Sequence, residues 1–153
     1  MSARARLVLA ATVASCGLAA AAPAPRWAVA VTPSGHSFSL EVAADDLSRQ
    51  KGYMERESVG PREGMIFVFD EDAIHSFWMK DCKVALDMVW LDAEGHVVWI
   101  AANRKPCPAV GDCPSIVPPR PARYVIEFAA GTSAKESLKP GDAIVVLSDP
   151  PLR

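Results

Sequence analysis

The residues best equipped for chemistry gather in one stretch, "EDAIHSFWMKDCKVALDMVWLDAEGHVV", residues 71–98. Trp78, Lys80, Asp81 and Asp87 set an amphipathic aromatic beside a cation and two acids, the mixture by which small-molecule sites fix a ligand's orientation. If residues 75–80 form a regular strand, Ser76, Trp78 and Lys80 share one face while His75, Phe77 and Met79 share the other. Asp87 points away from Leu86 and Met88, toward a surface where it could serve Lys80 as charge partner, and Arg56 in "MERE" could join them. The ligand-binding candidates are therefore Trp78, Lys80, Asp87 and Arg56. The competing arrangement is a Lys80–Asp87 ion pair over a tryptophan that completes the core, and the burial of Trp78 separates the two.

Other chemistries have weaker support. There is no nucleotide-binding glycine loop, paired-histidine zinc helix or Gly-x-Ser-x-Gly elbow, so no catalytic residue is assigned. A hydrolase using Asp87 and Glu127 as acid and base is one alternative. Soft-metal binding is another, since Met54, Met65, Met79 and Met88, with His75 and Cys82, offer the ligands that select Cu(I). Each of these methionines also falls where it would simply fill core, and no metal or cofactor is assigned. His36, His75 and His96 sit at strand starts or after a turn, positions that suit solvated side chains.

The 153 residues are enough for one domain with its own core. A formal charge of −2 and the lack of a Lys/Arg cluster argue against a nucleic-acid partner. Residues 1–22 read as an export signal, with Arg4 and Arg6 before the apolar run "LVLAATVASCGLAAAA". That run is short of the roughly 20 residues of a spanning helix. "VASC" within it resembles a bacterial lipobox, which implies cleavage before Cys16, lipidation of that residue and attachment to a membrane. An ordinary signal cut after one of Ala20 to Ala22 would discard Cys16 instead. Residues 17–26 would form an Ala/Pro tether, and residues 27–153 a single β domain, exported and either periplasmic or membrane-anchored.

Export also bears on the cysteines. "CPAVGDC" brings Cys107 and Cys113 close in a compartment where disulfides persist, and their bridge is expected, with Cys82 left as a free, buried thiol. Zinc is the rival for this pair, but no second pair at suitable spacing accompanies it.

The elements that must position these residues are short. Strands are expected at 36–43, 64–69, 75–80, on both sides of the Gly95 turn, at 123–128 and near the C-terminus. A helix is expected over 44–54, with Asp45 as N-cap and Gly52 near its end, and another over 132–138, opened by a Ser133/Glu136 capping box. About seven strands and two short helices make a mainly β fold, an antiparallel barrel or sandwich without the βαβ rhythm of a parallel sheet. Residues 103–121 form a long proline-rich connection that the disulfide would tie down.

The successive blocks "GYMERESVGPREGMIFVF", "FWMKDCKVALDMVWLDAEGHVVWI", "ARYVIEFAAG" and "KPGDAIVVL" resemble those of the domain of unknown function 192 (DUF192) family, over about residues 37–148. Tyr53 departs from the leucine common there. The resemblance implies a compact β fold, often exported, with no established biochemical activity. The resemblance leaves the chemistry open, and it is the candidate site residues that suggest a binding module for a small polar ligand, a saccharide or peptide.

Overall fold

The computed structural model describes residues 26–108, 110–149 and 151–152. The signal, Cys16 and nearly all of the tether lie outside the described residues. In chain order the elements are β1 (Trp27–Val31), β2 (Ser37–Ala43), α1 (Asp46–Lys51), β3 (Glu63–Ala73), β4 (Leu86–Leu91), β5 (Val97–Arg104), β6 (Ala122–Ala129), α2 (Thr132–Lys135) and β7 (Val145–Ser148). They make a seven-stranded sheet in the order β5-β4-β6-β3-β2-β1-β7. The mainly β architecture is the expected one. No ladder joins the two edge strands, but the β4–β5 turn meets the approach to β7 through Val97 N–H to Asp142 O (2.8 Å) and Ile144 N–H to Gly95 O (2.9 Å). The result is an open barrel. No helix among the described residues is long and apolar enough to cross a membrane.

Three expectations need correction. The first is the strand at 75–80. Only Phe77 is bridged there, to Ile116, and the seventh strand is β1. Its inward residues are Ala28 and Ala30, too small to mark an alternation beside Trp27 and Val29. Second, β2 and β3 run parallel, with α1 in the crossover between them, so the sheet is not purely antiparallel. Third, α2 has no side-chain cap of its own, because the Ser133 hydroxyl is engaged by Asp87 and Glu136 by Thr32, Ser34 and His36.

The sheet is buried on both faces. Inside the barrel, Phe38, Leu40, Ile66, Val89, Ile126 and Phe128 pack together, with Phe38 and Phe128 edge to face at 4.9 Å. On the outer face, registers place Met65 opposite Glu127 and Glu127 opposite Met88, then Phe67 opposite Val125 and Val125 opposite Trp90. Such a face would normally meet water in an antiparallel sheet. Here it is roofed by three connections, which contribute Tyr53 and Val59, Phe77 and Met79, and Cys107 and Ile116. Full burial of each large apolar side chain contributes about 1.5–3 kcal/mol, so the roof is a second core.

The disulfide forms between Cys107 and Cys113, as expected. It fixes the loop whose Ile116 exchanges two backbone hydrogen bonds with Phe77 (3.0 and 2.7 Å) and whose Cys107 N–H reaches Met79 O (3.2 Å). The long connection is therefore part of the outer core.

Candidate functional site: a cleft over an unpartnered glutamate

The outer core is incomplete at one place. Between the end of α1 and residues 76–82 lies a cleft of about 390 Å³ with Phe67 and Glu127 at its base. Helix α1 sets one side. Asp45 caps it by accepting from Ser48 N–H (2.9 Å), while the Ser48 hydroxyl returns to the Asp45 backbone N–H (3.2 Å). The helix ends at Gly52, whose φ of +47° is one that residues with a side chain rarely adopt. A Cβ at Gly52 would lie 3.2 Å from the Phe67 ring and 3.7 Å from Glu127 Oε2. Glycine thus keeps the base of the cleft uncovered at this point.

The other side is held by the second roof connection. Trp90 Nε1 donates to His75 O (2.9 Å), and the Phe77–Ile116 bridge carries the chain past the sheet. Phe77 meets Phe67 edge to face at 4.8 Å, and His75 stacks on Phe69 at 3.5 Å. Trp78 and Lys80 then project to the mouth, with the Lys80 ammonium 5.5 Å from the centre of the Trp78 ring. Arg49 crosses the Phe69 ring at 5.5 Å while donating to Ala44 O, Val68 O and Asp46.

Electrostatically the base is unusual. Glu127 is only 4% exposed, and its Oε2 is shielded from solvent with no hydrogen-bond partner among the described residues. The side chains of its cross-strand neighbours Met65 and Met88 are themselves buried and carry no N–H or O–H to offer. Burial raises its pKa from the ordinary 4.5 to about 8, against the pull of the Arg56 charge. At neutral pH the side chain is therefore mostly a neutral acid. Burial also pushes the Cys82 thiol up to about 11, with the charges of Glu127 and Asp81 adding to it, so this free cysteine is a weak nucleophile. The Tyr53 hydroxyl is raised for the same first reason, despite the opposing Arg56.

Of the four residues expected to form a site, the structure brings together two. Trp78 and Lys80 line the cleft, and at 46% exposure Trp78 is a wall and not a core residue. Arg56 instead makes a two-pronged ion pair with Glu41 and lies 4.9 Å over the Tyr53 ring, lining a neighbouring depression. That hydrogen bond lowers the Glu41 pKa, burial opposing it and the Arg56 and Lys51 charges adding to it.

Asp87 does not face Lys80. It is fully buried on the opposite face of β4, where it accepts from Asn103 N–H (2.7 Å), Gly131 N–H (3.1 Å), Ser133 N–H (2.7 Å) and the Ser133 hydroxyl (2.6 Å). It ties the start of α2 to the end of β5. The same alternation undoes the acid–base pair, because Asp87 pairs with Phe128 and Glu127 with Met88, so the two carboxyls leave opposite faces of the sheet.

The soft-metal set disperses as well. Met65, Met79 and Met88 are core residues, His75 stacks on Phe69, and only Met54 and Cys82 line the cleft. No group of three or more His, Cys, Asp or Glu side chains among the described residues could hold a metal ion.

Glu127 was visible beforehand only as a neighbour for Asp87. Its own signal is an acid inside the apolar run "RYVIEFAA", on the face that Val125 marks as buried.

A family model matches residues 29–146, that of DUF192, described as an uncharacterized ACR. No curated protein matches the chain. Among solved structures, a proposed transcription regulator from Sinorhizobium meliloti 1021 is 30% identical at a TM-score of 0.71, the alignment covering 84% of this chain and 98% of that one. A protein of unknown function from Novosphingobium aromaticivorans DSM 12444 is 29% identical at a TM-score of 0.70, covering 90% of this chain and 99% of that one. The match to the family model spans most of the chain and both walls of the cleft, and the chain therefore belongs to the DUF192 family.

Proposed function

We propose that this protein is a small binding module whose ligand enters the cleft between α1 and Trp78 and meets Glu127 at its base. The observation that carries this reading is the unpartnered Glu127 Oε2. A buried polar atom without a hydrogen bond costs about 1–3 kcal/mol, and a ligand that supplies the bond recovers that cost. The aromatic walls give such a ligand an apolar surface, and the half-exposed Trp78 can close over it. Two other depressions have comparable volume, about 440 and 460 Å³, but neither contains an unpartnered buried side-chain atom among the described residues. Catalysis has less support, because among the described residues Glu127 has no second carboxyl beside it in the cleft and Cys82 is held protonated.

Export is part of the proposal. The basic start, apolar run and "VASC" support a protein anchored through Cys16 to a membrane, with the domain working in the cell envelope. A fragment library screened by NMR tests the binding claim. Perturbed signals should centre on the Trp78 indole and on Phe77, and Gly52→Val should abolish them by covering the base. Perturbations centred on either other depression, or unchanged in Gly52→Val, would contradict it.

A further inference from the structure

We infer that the ligand is a zwitterion on an apolar body, a free amino acid or dipeptide, held with its ammonium against Glu127 and its carboxylate at the Lys80 rim. This rests on the cleft being a ligand site, as proposed above, and specifies what the site recognises.

The charges in the cleft are arranged in depth. Among the described residues Glu127 is the only acid lining it, and it lies at the base. Arg49, Lys51 and Lys80 line the same cleft nearer the solvent, and Lys80 is exposed. Arg49 is occupied by backbone carbonyls and Asp46, whereas the Lys80 ammonium rests on an indole ring and not on a carboxylate among the described residues.

A ligand carrying only an amine would pass three cations to reach the base. One carrying only an acid would be drawn to the mouth but would leave Glu127 Oε2 unanswered. A molecule with both groups matches both ends. Its ammonium can give Oε2 the missing charge-assisted bond, stronger than a neutral one. The rings of Phe67, Phe77 and Tyr53 line the same cleft and can pack the apolar body.

Binding an ammonium converts Glu127 from neutral acid to carboxylate, so its proton leaves to solvent. The titratable or charged groups that act on it are Tyr53, Arg56 and Cys82. Tyr53 and Cys82 are raised and stay protonated, and Arg56 remains charged, so the released proton belongs to Glu127. Affinity should therefore rise with pH up to about 8.

Isothermal titration of the purified domain with L-phenylalanine and the dipeptide Ala-Phe tests this, with phenethylamine and 3-phenylpropionate as single-charge controls and fragment shifts at Trp78 as an independent monitor. At least one zwitterion should bind tenfold or more tightly than both controls, with close to one proton released at pH 7 across buffers of different ionisation enthalpy. Glu127→Gln should weaken that zwitterion tenfold or more and abolish proton release. Lys80→Met should bring it down to the affinity of phenethylamine. Equal binding of 3-phenylpropionate, or a zwitterion unaffected by Glu127→Gln, would overturn the inference. If neutral fragments shift Trp78 while neither zwitterion binds, the ligand class is wrong and the binding site stands. If nothing shifts Trp78, both fail.

Discussion

Asp87 and Glu127 lie one register position apart across the β4–β6 ladder and meet opposite environments on the two faces of the sheet. Asp87, at the end of the inner core, accepts four hydrogen bonds and joins three chain segments. Glu127, on the outer face between two methionines, has one oxygen with no partner. Both are buried acids in apolar strands, and burial alone would not tell them apart. What separates them is the supply of donors. Where the fold provides backbone N–H groups the acid is structural, and where it provides rings and thioethers the acid is available to something else.

The largest effect should follow from breaking the Asp87 side of this comparison. Asp87→Ala orphans three backbone N–H groups and the Ser133 hydroxyl, and each buried unsatisfied group costs about 1–3 kcal/mol. A loss of about 4 kcal/mol or more is expected in denaturant unfolding, with α2 and the end of β5 the first to lose hydrogen-exchange protection. A loss under about 1 kcal/mol would make the two acids equivalent.

Glu127→Gln should act in the other direction, and increasingly so as pH rises above about 4.5. The folded pKa of about 8 lies above the ordinary 4.5, so the native state holds a proton that the unfolded chain releases between those values. Native stability should fall by roughly 1.4 kcal/mol per pH unit from about 4.5 to about 8 and then level off. Glu127→Gln should remove that slope, so its advantage over the native protein grows with pH, as melts at pH 5, 6.5 and 8 would reveal.

How legible was this from the sequence? Alternation located β2 and β6, the glycine at 95 between two apolar runs located the β4–β5 turn, and the period of two set Trp78 and Lys80 on one side although no strand forms there. The pairing of Phe77 with Ile116 holds that segment extended, so the period of two survives without a ladder. Alternation places Asp87 opposite in direction to Leu86 and Met88, which in a sheet with one wet face would mean water. In a sheet buried on both faces Asp87 meets the end of the inner core, while Leu86 and Met88 face an outer core whose roof comes from loops with no periodicity to read. The hidden β1 is the same lesson in miniature, since Ala28 and Ala30 are buried without looking hydrophobic enough to count.

A smaller effect should come from the roof. Replacing Cys107 and Cys113 with serine frees the loop that carries Ile116, and the chain-entropy cost of so short a loop is about 2 kcal/mol. The loss should be concentrated in the outer core, read as faster exchange at Phe77 and Met79 than at Ile126. Uniform loosening of both faces would deny that the roof is a separate layer.

The smallest change in stability is expected for Trp78→Ala. A core tryptophan costs about 3–5 kcal/mol when truncated, but a half-exposed wall should cost about 1 kcal/mol or less. Binding of any cleft ligand should weaken by more than about 1 kcal/mol. A core-sized stability loss would return Trp78 to the structural role that its exposure denies.

The central claim, that Glu127 is a neutral acid kept free for a ligand, can be read directly from one resonance. A ¹³C NMR titration of the Glu127 side-chain carboxyl in the ligand-free protein should give a midpoint near 8, set by its burial at the base of the cleft. A midpoint near 4.5 would mean that the carboxyl is solvated or partnered, and it would contradict the account of the cleft.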